Sequence, residues 1–250
     1  MFPLRDENPT LDTSVATFAI IGLNAAAWLL LQGLGSEPTL SRSVCQYGAI
    51  PGQLLGIFPP GAAIELGPGD YCPVGDARHW WSPLSSMFMH GGWFHILGNM
   101  WFLYIFGDNV EDSMGPARFV IFYLLCGFAA VAAQILADPA SPIPMVGASG
   151  AIGGVMGAYA VLYPRIPVHL LVILGFYVGR VAVPAFVMLG YWFLLQLLGG
   201  LPALQSEGGG VAFWAHVGGF LAGVVLIHVF RDPGRVAAHR ARLLSHWPGR

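Results

Sequence analysis

Val146-Gly147-Ala148-Ser149-Gly150-Ala151-Ile152-Gly153-Gly154-Val155-Met156-Gly157-Ala158-Tyr159-Ala160-Val161-Leu162-Tyr163 carries no charge over its whole length. A helix needs roughly 20 apolar residues to cross the hydrocarbon core of a bilayer, so this run, with Pro142 and Pro144 just before it to set a helix start near Ser149, reads as a membrane span. Five comparable stretches flank it: Val15–Leu34, Trp81–Phe106, Arg118–Ala137, Val181–Leu201 and Val211–Phe230. Hydrophobic residues make up 56% of the 250-residue chain and charged residues 10%, a balance that argues against a water-soluble globular domain. The expected fold class is therefore an all-α polytopic membrane protein: one six-helix bundle over residues 15–230, between a short tail at 1–14 and a basic tail at 231–250.

All eleven basic residues are arginines. With six spans the termini share a side, and Arg5, Arg118, Arg165, Arg180 and tail arginines 231, 235, 240, 242 and 250 fall together there, leaving Arg42 and Arg78 opposite. The positive-inside rule makes the shared side cytoplasmic. The first span is expected to be retained, since its leader mixes Arg5 with Asp6, Glu7 and Asp12 and its apolar run exceeds a signal core. The spaced arginines of the tail suit topology and lipid contact better than a nucleic-acid partner. The first outside loop, Gly35 to about Trp80, is rich in Gly and Pro. Its apolar Tyr47–Pro51 and Leu54–Phe58 segments suggest partial insertion into the interface, with Trp80 and Trp81 at headgroup level. Cys45 and Cys72 both lie in that loop, where a disulfide is permitted, and two free thiols remain the alternative; Cys126 is expected to be a small buried residue. Gly107–Pro116 reads as a short acidic loop, Leu201–Gly210 as a flexible linker, and Pro164–Arg180 as an interfacial apolar piece carrying His169.

The heads of the second, fourth and sixth spans meet at the outside face, which puts His95, Ser149 and His216 at one level. At 1.5 Å rise per residue, a residue a turn or two into a span lies on the order of 5–10 Å below the surface. Ser149 is a weak nucleophile until a base takes its proton, and His216 is the candidate base. Alone, either residue would be read as a helix–helix polar contact. Small-xxx-small spacings at Gly150/Gly154, Gly153/Gly157 and Gly219/Gly223 change that reading, because they let the two backbones approach closely enough to join the side chains. On span two, His95 and Asn99 are four apart and share a helix face; with the Ser149 backbone N–H they offer three donors to an oxyanion. His90 is about 140° around from His95 and is expected to brace the loop. A metal is not expected, since no Asp or Glu lies between Pro139 and Ser206 or within spans two and six, a poor set for zinc. No other cofactor is expected either. The Ser149 segment also differs from the soluble hydrolase elbow, having Ala151 where a glycine is needed.

Three stretches together resemble the rhomboid family of intramembrane serine proteases: His90-Gly91-Gly92-Trp93-Phe94-His95-Ile96-Leu97-Gly98-Asn99-Met100, Gly147-Ala148-Ser149-Gly150, and Ala215-His216-Val217-Gly218-Gly219-Phe220. Lesser matches are Phe106-Gly107 with Glu111, then Gly115, Arg118, Phe119 and Tyr123, and the Tyr47-Gly48-x-x-Pro51 pattern seen in bacterial members. The resemblance runs from about Tyr47 to Arg231. It implies a Ser149–His216 dyad with no acidic third member, an oxyanion hole from Ser149 N–H, His95 and Asn99, with Gly147, Gly150, Gly219 and His90 supporting the site. It also implies transmembrane-helix substrates cut near the outer face, and a bacterial cytoplasmic membrane as host. Departures are Ser82 where many members have arginine after the tryptophan, Gly98 where a bulky gate residue can stand, leaving Trp192 or Phe193 as gate candidates, and Gly153 where some members stack an aromatic on the histidine. The resemblance thus supplies no orienting residue for His216. A silent scaffold holding transmembrane clients is the rival reading; a transporter is disfavoured by the absence of repeats and of carboxylates inside the spans.

Overall fold

The computed structural model describes residues 2–67, 70–75, 78–175, 177–203 and 211–246. In chain order the elements are β1 (Phe2–Asp6), α1 (Val15–Leu30), α2 (Thr39–Tyr47), α3 (Pro51–Leu55), β2 (Ala63–Gly67), β3 (Asp70–Pro73), α4 (Ser82–Ser85), α5 (Trp93–Met114) and α6 (Pro116–Ala137). They continue with α7 (Ser149–Leu162), β4 (Pro167–Leu174), β5 (Tyr177–Pro184), α8 (Ala185–Ala203), α9 (Phe213–Phe230) and α10 (Pro233–His246). Among the described residues three helices are long and apolar enough to cross a membrane: Pro116–Ala137, Ala185–Pro202 and Phe213–Phe230, with mean hydropathies of 2.3, 1.5 and 1.8. The apolar helices α1 and α7 are shorter. Large apolar side chains such as Leu30, Phe94, Leu136 and Val229 are 76%, 96%, 84% and 78% exposed, far more greasy surface than a soluble monomer presents to water. Lipid tails accept that surface.

The expected second span, Trp81–Phe106, is displaced in the structure. Residues 82–88 form α4 and a 3-10 turn, and the long helix starts at Trp93 after the Gly91-Gly92 pair. The His90 backbone that precedes it is gripped by Gln32, whose Oε1 accepts from His90 N–H at 2.8 Å and whose Nε2 donates to His90 C=O at 2.7 Å. At its other end α5 runs on through the expected acidic loop to Met114. Two of its carboxylates, those of Glu111 and Asp112, stay inside because backbone donors at and just before the start of α1 meet them there. Glu111 accepts from Ala16 N–H at 2.9 Å, Thr17 N–H at 2.7 Å and the Thr17 hydroxyl at 2.8 Å, while Asp112 accepts from Leu11 N–H and from Asp12 N–H at 3.2 Å.

The piece between spans four and five is sheet. β4 and β5 form an antiparallel hairpin with His169 opposite Ala182, and β1 adds to it with Phe2 opposite Leu171 and Asp6 opposite Val168. Val181 to Pro184, expected at the head of span five, belong to β5. A short apolar run rich in β-branched residues suits a strand as well as a helix by pattern alone. The first loop contains α2, α3 and the β2–β3 hairpin, and the disulfide left open above is formed between Cys45 and Cys72. Cys126 is free and buried. Part of the expected linker, Leu201 to Ala203, continues α8, and the remainder lies outside the described residues. The basic segment after Phe230 is helical over α10, tied down by Arg235, which donates to Asp112 C=O and to Asp12, each at 2.6 Å.

The core fills the space between α5, α6, α7 and α9 with Phe106, Phe119, Phe122, Tyr123 and Tyr159, all essentially inaccessible. Between α7 and α9 there are no side chains at the closest points. A Cβ placed on Gly219 would stand 1.9 Å from Gly150 O, and one on Gly223 would stand 1.9 Å from Gly154 O. The glycine spacings thus lock two backbones together in the register that sets the site.

Candidate active site

Ser149 is the first residue of α7, so its N–H belongs to the first turn, which has no intrahelical acceptor. The segment leading into it is held at two points. Ala49 and Met145 exchange backbone hydrogen bonds of 2.9 and 2.8 Å, and Gly147 N–H donates to Ser86 C=O at 2.9 Å. Gly147 adopts φ +126°, a conformation open to glycine, and a Cβ there would strike His95 Nε2 at 2.7 Å. That near contact puts the His95 ring beside Ser149.

His216 sits one turn into α9, and its Nε2 lies 2.8 Å from Ser149 Oγ. Its Nδ1 lies 2.8 Å from Gln196 Oε1, a partner from α8. The Trp192 ring, one turn earlier on α8, has its centroid 5.8 Å from that of His216. Gly153 lies next to both, a Cβ there being 3.7 Å from Trp192 and 3.2 Å from His216 O. So Trp192, expected only as a gate candidate, occupies the side of His216 where the family resemblance offered no aromatic. Phe193, the other candidate, stacks on Phe220 at 4.7 Å instead.

His95 Nδ1 accepts from Gly91 N–H at 3.2 Å, which leaves the proton of the neutral ring on Nε2, the nitrogen facing Gly147 and Ser149. Asn99, one turn on, is 8% exposed, and its Nδ2 has no hydrogen-bond partner among the described residues. His90 is fully buried with its ring edge-on to His95 at 5.1 Å, placed to support that ring and not to reach the cavity. Gly150 and Gly219 meet backbone to backbone as noted. These groups border a cavity of about 1150 Å³ whose lining includes Gly91, His95, Asn99, Ser149, Trp192 and His216. Among the described residues no three of His, Cys, Asp or Glu gather as a metal set. A hydroxyl hydrogen-bonded to an imidazole, with a second imidazole N–H, an amide and a helix N-terminus around the same space, is equipped for acyl transfer.

A family model described as the rhomboid domain matches residues 77–233. The chain belongs to the rhomboid family. Rhomboid-like protein 11, chloroplastic, from Arabidopsis thaliana is 33% identical over 153 residues, 59% of this chain and 51% of that protein. The putative rhomboid protease YdcA of Bacillus subtilis is 32% identical over 80 residues, 32% of this chain and 40% of that protein. Rhomboid protease GluP of the same bacterium is 38% identical over 79 residues, 32% of this chain and 15% of that protein. The chain thus spans about half the length, or less, of these curated relatives. They include plant organellar as well as bacterial proteins, so the narrower expectation of a bacterial type is not singled out by them.

Sequence reasoning missed Gln196. The available signal was its being the one amide inside the otherwise apolar run Val181–Leu201, since polar groups held inside membrane segments mark functional contacts. It also missed Gln134, whose Oε1 accepts from Ala215 N–H at 3.3 Å and so ties the start of α9 to α6. The loop carrying Ser82 in place of arginine is fastened by the Cys45–Cys72 disulfide and by Arg78, which packs on Gly56.

Proposed function

We propose that this rhomboid is an intramembrane serine endopeptidase that cuts membrane-protein substrates in or next to their transmembrane helices. The observation that carries the reading is the 2.8 Å Ser149 Oγ–His216 Nε2 contact inside a cavity that also holds unpaired donors. Ser149 Oγ attacks the scissile carbonyl carbon while its proton passes to His216 Nε2. The developing oxyanion is met by Ser149 N–H, His95 Nε2–H and Asn99 Nδ2–H. His216 then returns the proton to the leaving amine, the C–N bond breaks, and a water activated by the same imidazole releases the acyl group. The substrate helix must unwind first, because a helical peptide bond is shielded by its own turn.

The membrane arrangement follows the same logic. Six helices, α1 and α5 to α9, form the bundle, with the termini and the β1–β4–β5 sheet on the cytoplasmic side and the cavity opening to the outside. α7 has 14 residues, about 21 Å of helix against roughly 30 Å of hydrocarbon. With its C-terminus at the inner boundary, Ser149 lies about 9 Å below the outer one, a depth reachable by water through the cavity. A disulfide in the first loop is in keeping with an oxidising outer compartment.

The test is cleavage of a reporter transmembrane substrate by purified protein in liposomes, with Ser149→Ala and His216→Ala beside wild type. Cleavage by wild type alone supports the reading. Cleavage that survives in Ser149→Ala defeats it, and a wild type that neither cleaves nor reacts with a serine-directed reagent at Ser149 points to a silent client-binding scaffold.

A further inference from the structure

Gln196 Oε1 lies 2.8 Å from His216 Nδ1, and Gln196 Nε2 donates to Trp192 C=O at 3.2 Å. The second bond fixes the first. A backbone carbonyl can only accept, so the amide nitrogen must face Trp192 and the amide oxygen must face the imidazole. An amide oxygen can only accept as well, so the proton of the neutral ring has to be on Nδ1. That leaves Nε2 as an acceptor for the Ser149 hydroxyl, 2.8 Å away. The chain of bonds therefore has one direction, from the Ser149 hydroxyl through the imidazole and the Gln196 amide to a helix backbone. Gln196 is 8% exposed, so its amide is largely withdrawn from water.

We propose that Gln196 is the positioning residue of the nucleophile–base pair, a neutral third member that holds His216 in the Nδ1–H tautomer. The inference deepens and rests on the protease reading above. In water the free imidazole prefers its proton on Nε2, a form unable to accept from serine. Without an acceptor on Nδ1 the ring would drift toward that form and lose its orientation. During the reaction the ring becomes doubly protonated, and Gln196 Oε1 keeps its bond to Nδ1–H without any proton leaving the imidazole. A charged carboxylate partner, the usual device in soluble serine hydrolases, would have to be buried inside the apolar bundle; an amide supplies the acceptor without the charge. The same turn of α8 carries Trp192 against the ring, so the seating of one helix sets both the face and the edge of the base.

The test compares wild type with Gln196→Met, which keeps length and apolar bulk but removes the acceptor, and Gln196→Glu, which keeps one. Two readouts are taken on the detergent-purified full chain: kcat and KM on the reporter, and the tautomer of His216 by ring nitrogen NMR on histidine-labelled protein, assigned by its loss in His216→Ala. Gln196→Met is expected to lower kcat by about 10- to 100-fold, by analogy with the loss on removing the partner that orients a metal-ligating histidine, with KM near wild type. The Nδ1–H signature of wild type should give way to a mixture or to Nε2–H, and Gln196→Glu, whose neutral carboxyl can accept from Nδ1–H while donating to Trp192 C=O, should recover most of both. An unchanged tautomer in Gln196→Met, or a kcat within about twofold of wild type, overturns the proposal. If wild type neither cleaves nor reacts with a serine-directed reagent at Ser149, the protease reading fails while the tautomer comparison still decides the role of Gln196.

Discussion

Replacing Gly219 by alanine tests whether backbone contact between α7 and α9 sets the site. The added Cβ would stand 1.9 Å from Gly150 O and 2.8 Å from Gly150 C, whereas a carbon and a carbonyl oxygen rest at about 3.3 Å or more. Nothing at that point can rotate away, because the obstacle is backbone at the first turn of α7. The helices must therefore part by about 1.4 Å. Gly150 follows Ser149 directly, and Gly219 is three residues after His216, so the movement falls on the Ser149–His216 pair. The 2.8 Å Ser149–His216 contact would open toward about 4 Å, beyond the 2.6–3.2 Å reach of a proton-transferring base. A misplacement of about 1 Å costs on the order of 10²-fold in rate, and overpacking of this kind costs about 1–3 kcal/mol in stability. Reporter cleavage and detergent unfolding should both be measured, with Gly190→Ala as control, since a Cβ at Gly190 meets nothing within 4 Å. Activity within threefold of wild type and an unchanged unfolding midpoint in Gly219→Ala would refute the close-contact argument.

Asn99→Ala should lower kcat by about 10²-fold with little change in KM, as expected for one donor to a developing oxyanion; an equal loss in serine-reagent binding and in KM would instead mark a ground-state contact. The Asp6 carboxyl, raised from 3.8 to about 6 by burial against the pull of its bond from the Tyr159 hydroxyl, faces Asp108 and Asn8 as well. Its folded value lies above its unfolded one, so the folded chain binds this proton more tightly. The stabilisation is complete below about pH 4 and is lost as pH rises through about 6. Hydrogen exchange corrected for intrinsic rates should show the β1–β4 pairing loosening over that range in wild type and not in Asp6→Asn; pH-independent protection in wild type would contradict it.

Much of the candidate site was legible because its residues announce themselves locally. Ser149 heads an uncharged run, His216 and Gly219 share one short motif, and His95 and Asn99 lie one helical turn apart. Their glycine spacings told which helices would touch. The boundaries were less legible. Glu111 and Asp112 read as loop because charges rarely stay inside a bundle, yet they stay in α5, Glu111 by accepting from the first backbone N–H groups of α1 and Asp112 from the Leu11 and Asp12 N–H groups just before it. Val168 to Val183 has the composition of either a buried helix or a strand, and it is the β4–β5 ladder, extended by pairing with β1 more than 160 residues earlier, that makes it sheet.

Hydropathy and short motifs read along the chain sufficed for the membrane class, for the family and for the candidates proposed as nucleophile, base and oxyanion donors, because those depend on residues a few positions apart. Only the folded chain shows that Cys45 meets Cys72, that Trp192 lies beside the His216 ring, and that the Gln196 amide oxygen sits 2.8 Å from His216 Nδ1. Each of those contacts joins separate elements at distances of ångströms. No local preference encodes them, since they arise from how the packed helices are seated against one another.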